Sequence, residues 1–344
     1  MIISLDAMGG DNAPAEIVHG AVWAARDFGV EIQLVGQPAA IEAELAKHNT
    51  VGLKLPIVPA SEVIEMDDHP AEAVRAKKDA SMNVAMRQVK AGHSQGFVSA
   101  GNSGGVLAAA LFGLGRIKGI KRPALSTIFP TVSERGFCFL LDVGANTDVK
   151  PEYLYQFALM GAVYSERVLG VPNPKVGLVS TGEEEGKGSK LVIDTTLLLK
   201  RGPFNFIGNV EGKDIPTGLA DVVVTDGFTG NVLLKTSEGV ARLIMQTIRA
   251  EMESRFLARI GALLAMGAFK AIRTKLDDRE FGGGALLGVD GVVIVTHGRS
   301  DAYMIRNAIR VAKTAIEQDV VAAIKGYEAH YNLSTTSTTE TSGK

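Results

Sequence analysis

Short apolar runs alternate with longer segments of helical periodicity along almost the whole chain. Runs such as Ile2-Ile3-Ser4-Leu5 and Phe137-Cys138-Phe139-Leu140-Leu141 are too short for core helices and rich in β-branched or bulky side chains, which predicts strands buried on both faces. Strands are expected near 2–6, 31–35, 96–99, 124–129, 138–142, 175–179, 204–207, 221–225 and 291–296. Between them the 3.6-residue period predicts helices at 14–28, 39–47, 70–91 (broken), 104–113, 151–169, 189–200, 230–250, 253–276 and 300–327. Pro14 and Pro151 suit first helical turns, while Asp148 and Ser300 stand where caps are wanted. This βα alternation predicts an α/β protein, a three-layer α/β/α sandwich with a mostly parallel sheet. No Gly/Ser- or Pro-rich linker divides it, so residues 1–332 are expected to form one unit; 333–344, rich in Ser and Thr without periodicity, read as a disordered tail.

Composition narrows the function. With 46% hydrophobic and 22% charged residues, 344 residues can bury a large core. A net charge of −2 gives no global attraction for nucleic acid. The lone cysteine, Cys138, rules out an internal disulfide framework, suits a reducing compartment and sits in an apolar run as an inert core residue. The N-terminus reads as a strand, not a secretion leader, and every apolar run is shorter than the roughly 18–20 residues of a spanning helix. A cytoplasmic location is expected.

Four strands leave in the same way: Val98-Ser99-Ala100-Gly101, Val179-Ser180-Thr181-Gly182, Val224-Thr225-Asp226-Gly227 and Val295-Thr296-His297-Gly298. Two further exits, Asp6-Ala7-Met8-Gly9-Gly10 and Asp142-Val143-Gly144-Ala145-Asn146, place an acid before the glycines. In a parallel sheet the strand C-termini share one edge, so these loops are expected to meet in one crevice. Glycine lets backbone amides approach a ligand, and the helices that follow present unpaired N-terminal amides. Together they favour an anion, phosphate above all.

Several phosphate and hydrolase chemistries are excluded by spacing. Gly182-Glu183-Glu184-Glu185-Gly186-Lys187-Gly188 falls one residue short of a P-loop and has Gly where the magnesium-binding hydroxyl belongs. No Gly-x-Gly-x-x-Gly follows the first strand, the histidines lack zinc-ligand spacing, and no Gly-x-Ser-x-Gly elbow is present.

Six segments, in order, carry a resemblance: Leu5-Asp6-Ala7-Met8-Gly9-Gly10-Asp11, Val98-Ser99-Ala100-Gly101-Asn102-Ser103-Gly104, Leu141-Asp142-Val143-Gly144-Ala145-Asn146, Gly182-Glu183-Glu184-Glu185, Asp226-Gly227-Phe228-Thr229-Gly230-Asn231-Val232 and Leu286-Leu287-Gly288. Along its length to about residue 330 the chain resembles the bacterial phosphate acyltransferases that draw on acyl carrier protein, the PlsX family. The resemblance implies that inorganic phosphate attacks the thioester of an acyl group on acyl carrier protein, giving acyl phosphate for a downstream glycerol-3-phosphate acyltransferase. It implies a fold similar to phosphotransacetylases and isocitrate dehydrogenase-like enzymes, a homodimer, and neither cofactor nor metal. Two other readings stay open: acyl exchange with coenzyme A, as in phosphotransacetylases, and a non-catalytic, membrane-associated scaffold of lipid synthesis.

Phosphate is already an anionic nucleophile and a thiolate is a moderate leaving group, so the chemistry needs no covalent intermediate. It needs positioning and a stabilised oxyanion. Lys187 and Asn231 match the family's catalytic pair: Lys187 to offset charge, or else a solvated lysine beside Glu183–Glu185; Asn231 to donate to the thioester oxygen, or else to cap a helix. His297 is placed to return a proton to sulfur or to serve the turn. Gly101, Asn102, Ser103, Gly104, Gly227 and Gly230 are expected around phosphate and substrate, with Asp6, Asp142 and Asp226 bracing the loop amides.

From Arg255 to Leu276 no acidic residue occurs, whereas Arg255, Arg259, Lys270, Arg273 and Lys275 do. Phe256, Ile260, Leu263 and Leu264 share one helical face, and the stripe changes phase near Gly267. An amphipathic hairpin is expected at about 253–276, with Arg255, Phe256, Arg259 and Arg273 facing an anionic membrane, the acidic carrier protein or a dimer partner.

Overall fold

The computed structural model describes residues 1–275 and 278–327. The expected tail at 333–344 lies outside the described residues, as do Leu276 and the side chain of Arg273. The chain runs β1 (Ile2–Asp6), α1 (Ala15–Phe28), β2 (Glu31–Gly36), α2 (Pro38–Leu45), β3 (Ile57–Pro59), α3 (Pro70–Ala76), α4 (Ser81–Lys90), β4 (Gly96–Ser99), α5 (Ser103–Gly113), β5 (Ala124–Pro130) and β6 (Phe137–Leu141). It continues with α6 (Pro151–Arg167), β7 (Lys175–Val179), α7 (Lys190–Leu199), β8 (Asn205–Val210), β9 (Val222–Val224), α8 (Gly227–Ser254), α9 (Phe256–Leu264), α10 (Met266–Lys275), β10 (Gly284–Leu287), β11 (Val292–Val295) and α11 (Ala302–Glu317).

Local chemistry sets several boundaries. The expected break in 70–91 falls after Ala76, where Asn83 Nδ2 donates to the carbonyls of Val74 (2.9 Å) and Lys77 (2.8 Å), so a side chain takes acceptors that a continuing helix would have used. Asp226 Oδ1 accepts from the Thr229 amide at 2.8 Å, which starts α8 at Gly227, three residues before the expected position. At α11 the cap is Asp301, not Ser300, whose hydroxyl turns back to Thr296 and the His297 carbonyl. Helix α6 begins at Pro151 behind Lys150, without a capping contribution from Asp148.

Among the described residues, eleven strands form one sheet in the order β3-β2-β1-β4-β11-β10-β5-β6-β9-β7-β8. Neighbours within β3-β2-β1-β4-β11 are parallel, and so are those within β6-β9-β7-β8. Between the two sets, β10 and β5 pair antiparallel to each other and to their outer neighbours. Three reversals leave the two parallel sets pointing in opposite directions. The expectation that all strand ends share one edge is therefore corrected: the sets meet head to head.

They meet on one row. Register carries it from Leu34 through Leu5, Val98, Ile294 and Ala285 on one side, then from Ser126 through Leu141 and Val224 to Leu178 on the other. Ala285 N–H joins the halves by donating to Ser126 Oγ at 3.0 Å. Every parallel strand in this row ends within two residues of it, so the exits of both sets lie along the middle of the sheet. The apolar members of the row belong to the core beneath α1, α6 and α11. On the other face, α3, α4 and α5 cover the first set, and the start of α8 covers the second. Helices thus sandwich the sheet, the predicted architecture.

Candidate active site

The first turn of α5 and the second and third turns of α8, from opposite halves of the sheet, border one cavity of about 290 Å³ on this second face. Its floor is the strand segment Leu125–Ile128 with Gly283 and Gly284, and one rim is Val295-Thr296-His297 leaving β11. Ser103 opens α5 at another rim; Asn231, Leu234 and Lys235 project from α8, and Val143 and Gly144 come from the β6 exit. Ile128, Leu234, Phe281 and Met304 supply apolar wall, and Phe281 is held by an edge contact with Phe137, ring centroids 6.1 Å apart. Hydroxyls, an amide, an imidazole and an ammonium therefore share a chamber with an aliphatic side.

The loops around the cavity are held by buried carboxylates. Asp142 Oδ1 accepts from the amides of Leu125 (3.1 Å), Gly144 (3.2 Å) and Ala145 (3.0 Å), and Oδ2 from the amide (2.7 Å) and side chain (2.9 Å) of Asn146. Burial raises Asp142 above the usual carboxylate range, and these donors oppose the rise. Asp6 lies in the first half, where burial raises it while the hydroxyls of Ser81 (2.6 Å) and Ser99 (2.8 Å) donate to it. Asp226 serves α8 as its cap.

Glycine at 227 and 230 lets α8 lie against the β6 exit. Gly227 donates to the Asn146 carbonyl at 2.7 Å, and a β-carbon there would fall 2.8 Å from Asn146 N. The Gly101 amide is likewise engaged, by Ser99 Oγ at 2.9 Å. Asn102 caps α5 by accepting from Gly105 at 3.1 Å, while its Nδ2 donates to the carbonyls of Met66 (3.0 Å) and Asp68 (3.2 Å). That leaves the Ser103 hydroxyl and the amides of Ser103 and Gly104 as this exit's groups for a ligand.

Of the residues expected from sequence, the cavity gathers Ser103, Asn231 and His297. Asn231 stands in the second turn of α8 and is not its cap. Lys187 lies on the exposed β7–α7 connection, where its amide donates to the Glu184 carbonyl at 3.0 Å; the neighbouring Glu183 and Glu185 pair with Lys213 and Lys200. Arg255, Phe256 and Arg259 are exposed at the far end of α8 and on α9, and Arg255 pairs with Glu251 at 3.5 Å. Ser126, Thr127 and Lys235 line the cavity without having been singled out. The signal for Lys235 was its place four residues after Asn231, one turn along the same helical face.

Among the described residues, no helix is long and apolar enough to cross a membrane, and no group of three His, Cys, Asp or Glu side chains is placed to hold a metal ion.

Solved structures of similar fold include a phosphotransacetylase from Streptococcus pyogenes, with TM-score 0.63 and 17% identity over 92% of this chain and 94% of that one. Another is 4-hydroxythreonine-4-phosphate dehydrogenase from Klebsiella pneumoniae, with TM-score 0.52 and 11% identity over 92% and 98%. In sequence, the chain is 52% identical to a phosphate acyltransferase of Heliobacterium modesticaldum over 94% of its own length and 97% of the relative's. A phosphate acyltransferase of Geobacter sulfurreducens is 49% identical over 93% and 92%. A family described as fatty acid synthesis protein matches residues 1–323. With six motifs in order, one cavity where opposed strand exits meet, and near-complete coverage by these relatives, the chain belongs to the fatty acid synthesis protein family, among its phosphate acyltransferases.

Proposed function

We infer that this phosphate acyltransferase takes its acyl group from acyl carrier protein and passes it to inorganic phosphate. A phosphate oxygen attacks the thioester carbonyl, a C–O bond forms, the C–S bond breaks, and the thiolate leaves with the carrier. The observation that carries this reading is the joint presence of Ser103, Asn231 and His297 around one cavity with an apolar side. Phosphate sits by the Ser103 hydroxyl and the Ser103 and Gly104 amides that open α5, whose positive helix end favours an anion. Asn231 donates to the carbonyl oxygen as negative charge develops there. His297 takes the proton that the attacking hydrogen phosphate gives up and passes it to the departing thiolate, which leaves as the carrier's thiol. Lys187, from its exposed loop, suits contact with the arriving thioester or departing thiolate at the rim. Gly101, Gly104, Gly227 and Gly230 admit the close backbone packing around this site, and Asp6, Asp142 and Asp226 hold its loops in place.

The apolar wall receives the start of the acyl chain. The projecting end of α8 and all of α9 fit contact with another surface, since Leu243, Ile244, Phe256, Leu257 and Leu264 are exposed. A second copy of the chain, an anionic membrane surface and the acidic carrier are the partners proposed for this region. The acyl phosphate then passes to an enzyme that acylates glycerol 3-phosphate.

The test is a product assay with purified protein, acyl carrier thioester and phosphate, trapping acyl phosphate with hydroxylamine. Acyl hydroxamate that depends on all three components supports the reading. No product from the carrier thioester, with turnover of acyl coenzyme A instead, would replace it by phosphotransacetylase-type exchange.

A further inference from the structure

Of the described residues lining the cavity, Lys235 alone carries a fixed positive charge. It stands one turn beyond Asn231 on α8, so both side chains leave the helix toward the same chamber. Its ammonium rests on Glu238, 3.0 Å from Oε2 and 3.2 Å from Oε1, and Glu238 is not part of the cavity lining. Phosphate near neutral pH carries between one and two negative charges. Taking it out of water beside an acyl chain is costly unless a cation accompanies it. A helix end and a hydroxyl offer only partial charge. Lys187 is not among the residues lining the chamber.

We propose that Lys235 is the cation that holds the phosphate nucleophile, with Glu238 as its resting counter-ion. When phosphate enters, the ammonium exchanges the carboxylate for the anion. The flexible four-carbon stem of lysine permits the swing, and Glu238, half-buried with 27% of its side chain exposed, keeps contact with water after release. Lys235 thereby places a phosphate oxygen one helical turn from Asn231, the donor assigned to the carbonyl oxygen. This assignment rests on the phosphate acyltransferase reading and specifies which residue selects its nucleophile.

Two single variants separate binding from mere helix support. If Lys235 mattered only through its pair with Glu238, Lys235→Met and Glu238→Gln would act alike, because each removes the same ion pair. The assignment expects opposite signs. Lys235→Met should raise KM for phosphate roughly tenfold or more, as for loss of a charge-assisted contact, with a much smaller change in kcat. Glu238→Gln should lower KM for phosphate by freeing the ammonium. Both variants and the parent are also heated with and without inorganic phosphate alone. The parent and Glu238→Gln should gain melting temperature with added phosphate, and Lys235→Met should gain little. Unchanged KM and unchanged phosphate stabilisation in Lys235→Met overturn the proposal, as does a parent that phosphate does not stabilise. If the parent forms no acyl phosphate yet phosphate stabilises it through Lys235, the binding assignment stands and the acyl-transfer reading falls.

Discussion

The carbonyl oxygen of Asp142 occupies the space that a β-carbon on Gly230 would need. Helix α8 and the β6 exit are thus in contact through backbone, and the position of Asn231 follows from that contact. Gly230→Ala should cost about 3 kcal/mol or more, since the obstacle is main chain and cannot rotate away. Gly239, on the same helix with open space around it, should gain about 0.5–1 kcal/mol on substitution by Ala. Urea denaturation of the two variants decides the matter, and equal midpoints would contradict the close packing.

Asn231→Ala removes the donor assigned to the developing oxyanion. A loss of roughly 10² or more in kcat is expected, with the unfolding midpoint kept, because the side chain is exposed and does not cap the helix. Turnover at the parent rate would take Asn231 out of the mechanism.

Asp6 gives a pH dependence of unusual sign for a carboxylate. Burial raises its pKa in the folded protein. Its contribution to stability is fully present below the unfolded value of about 3.9 and is lost as pH rises through the raised folded value. Lowering the pH from 7 toward 5 should therefore stabilise the parent relative to Asp6→Asn. Denaturant midpoints of the pair at both pH values measure this, and a gap that moves against the parent on acidification refutes the account.

Burial pushes the Cys138 thiol up to about 12, so almost no thiolate exists near neutral pH. Thiol reagents should leave the native enzyme unlabelled and fully active, and label it once only after denaturant is added. Rapid native labelling would show that β6 opens.

Charge reversal of Arg255 and Arg259 probes the exposed end of α8 and α9. Reduced sedimentation with anionic vesicles, at unchanged turnover of a soluble acyl carrier substrate, is expected if lipid is the partner there. Equal sedimentation of variant and parent removes the lipid role from this pair.

The alternation of apolar runs and amphipathic segments was enough to read nine strands and the layered class, because burial on both faces writes itself as short continuous apolar stretches. Strands β3 and β10 were missed for physical reasons. β3 is three residues ending in Pro59 at the sheet edge, and β10 follows Gly282 and Gly283, which read as loop. The opposed direction of the two halves was also legible in principle. Only Thr131–Gly136 separate β5 from β6, too few for the crossover that parallel neighbours need. In the site, Ser103, Asn231 and His297 were found because they follow strand ends. Ser126 and Thr127 were not, since they lie inside β5, a strand that lines the cavity only because antiparallel pairing carries it across the floor. Lys187 bears the sequence signal but sits outside the chamber, while Lys235 sits inside without a motif of its own.

The place of β11 beside β4 has a consequence for synthesis. β4 ends at Ser99, and the strand that covers its open edge begins at Val292, on the order of 200 residues later. At ribosomal rates the emerging N-terminal half waits roughly 10–40 s with that row of amides and carbonyls unpaired. During this interval the nascent chain is open to wrong partners, and helper proteins that shield bare strand edges should raise the yield of active enzyme more than they change its final stability.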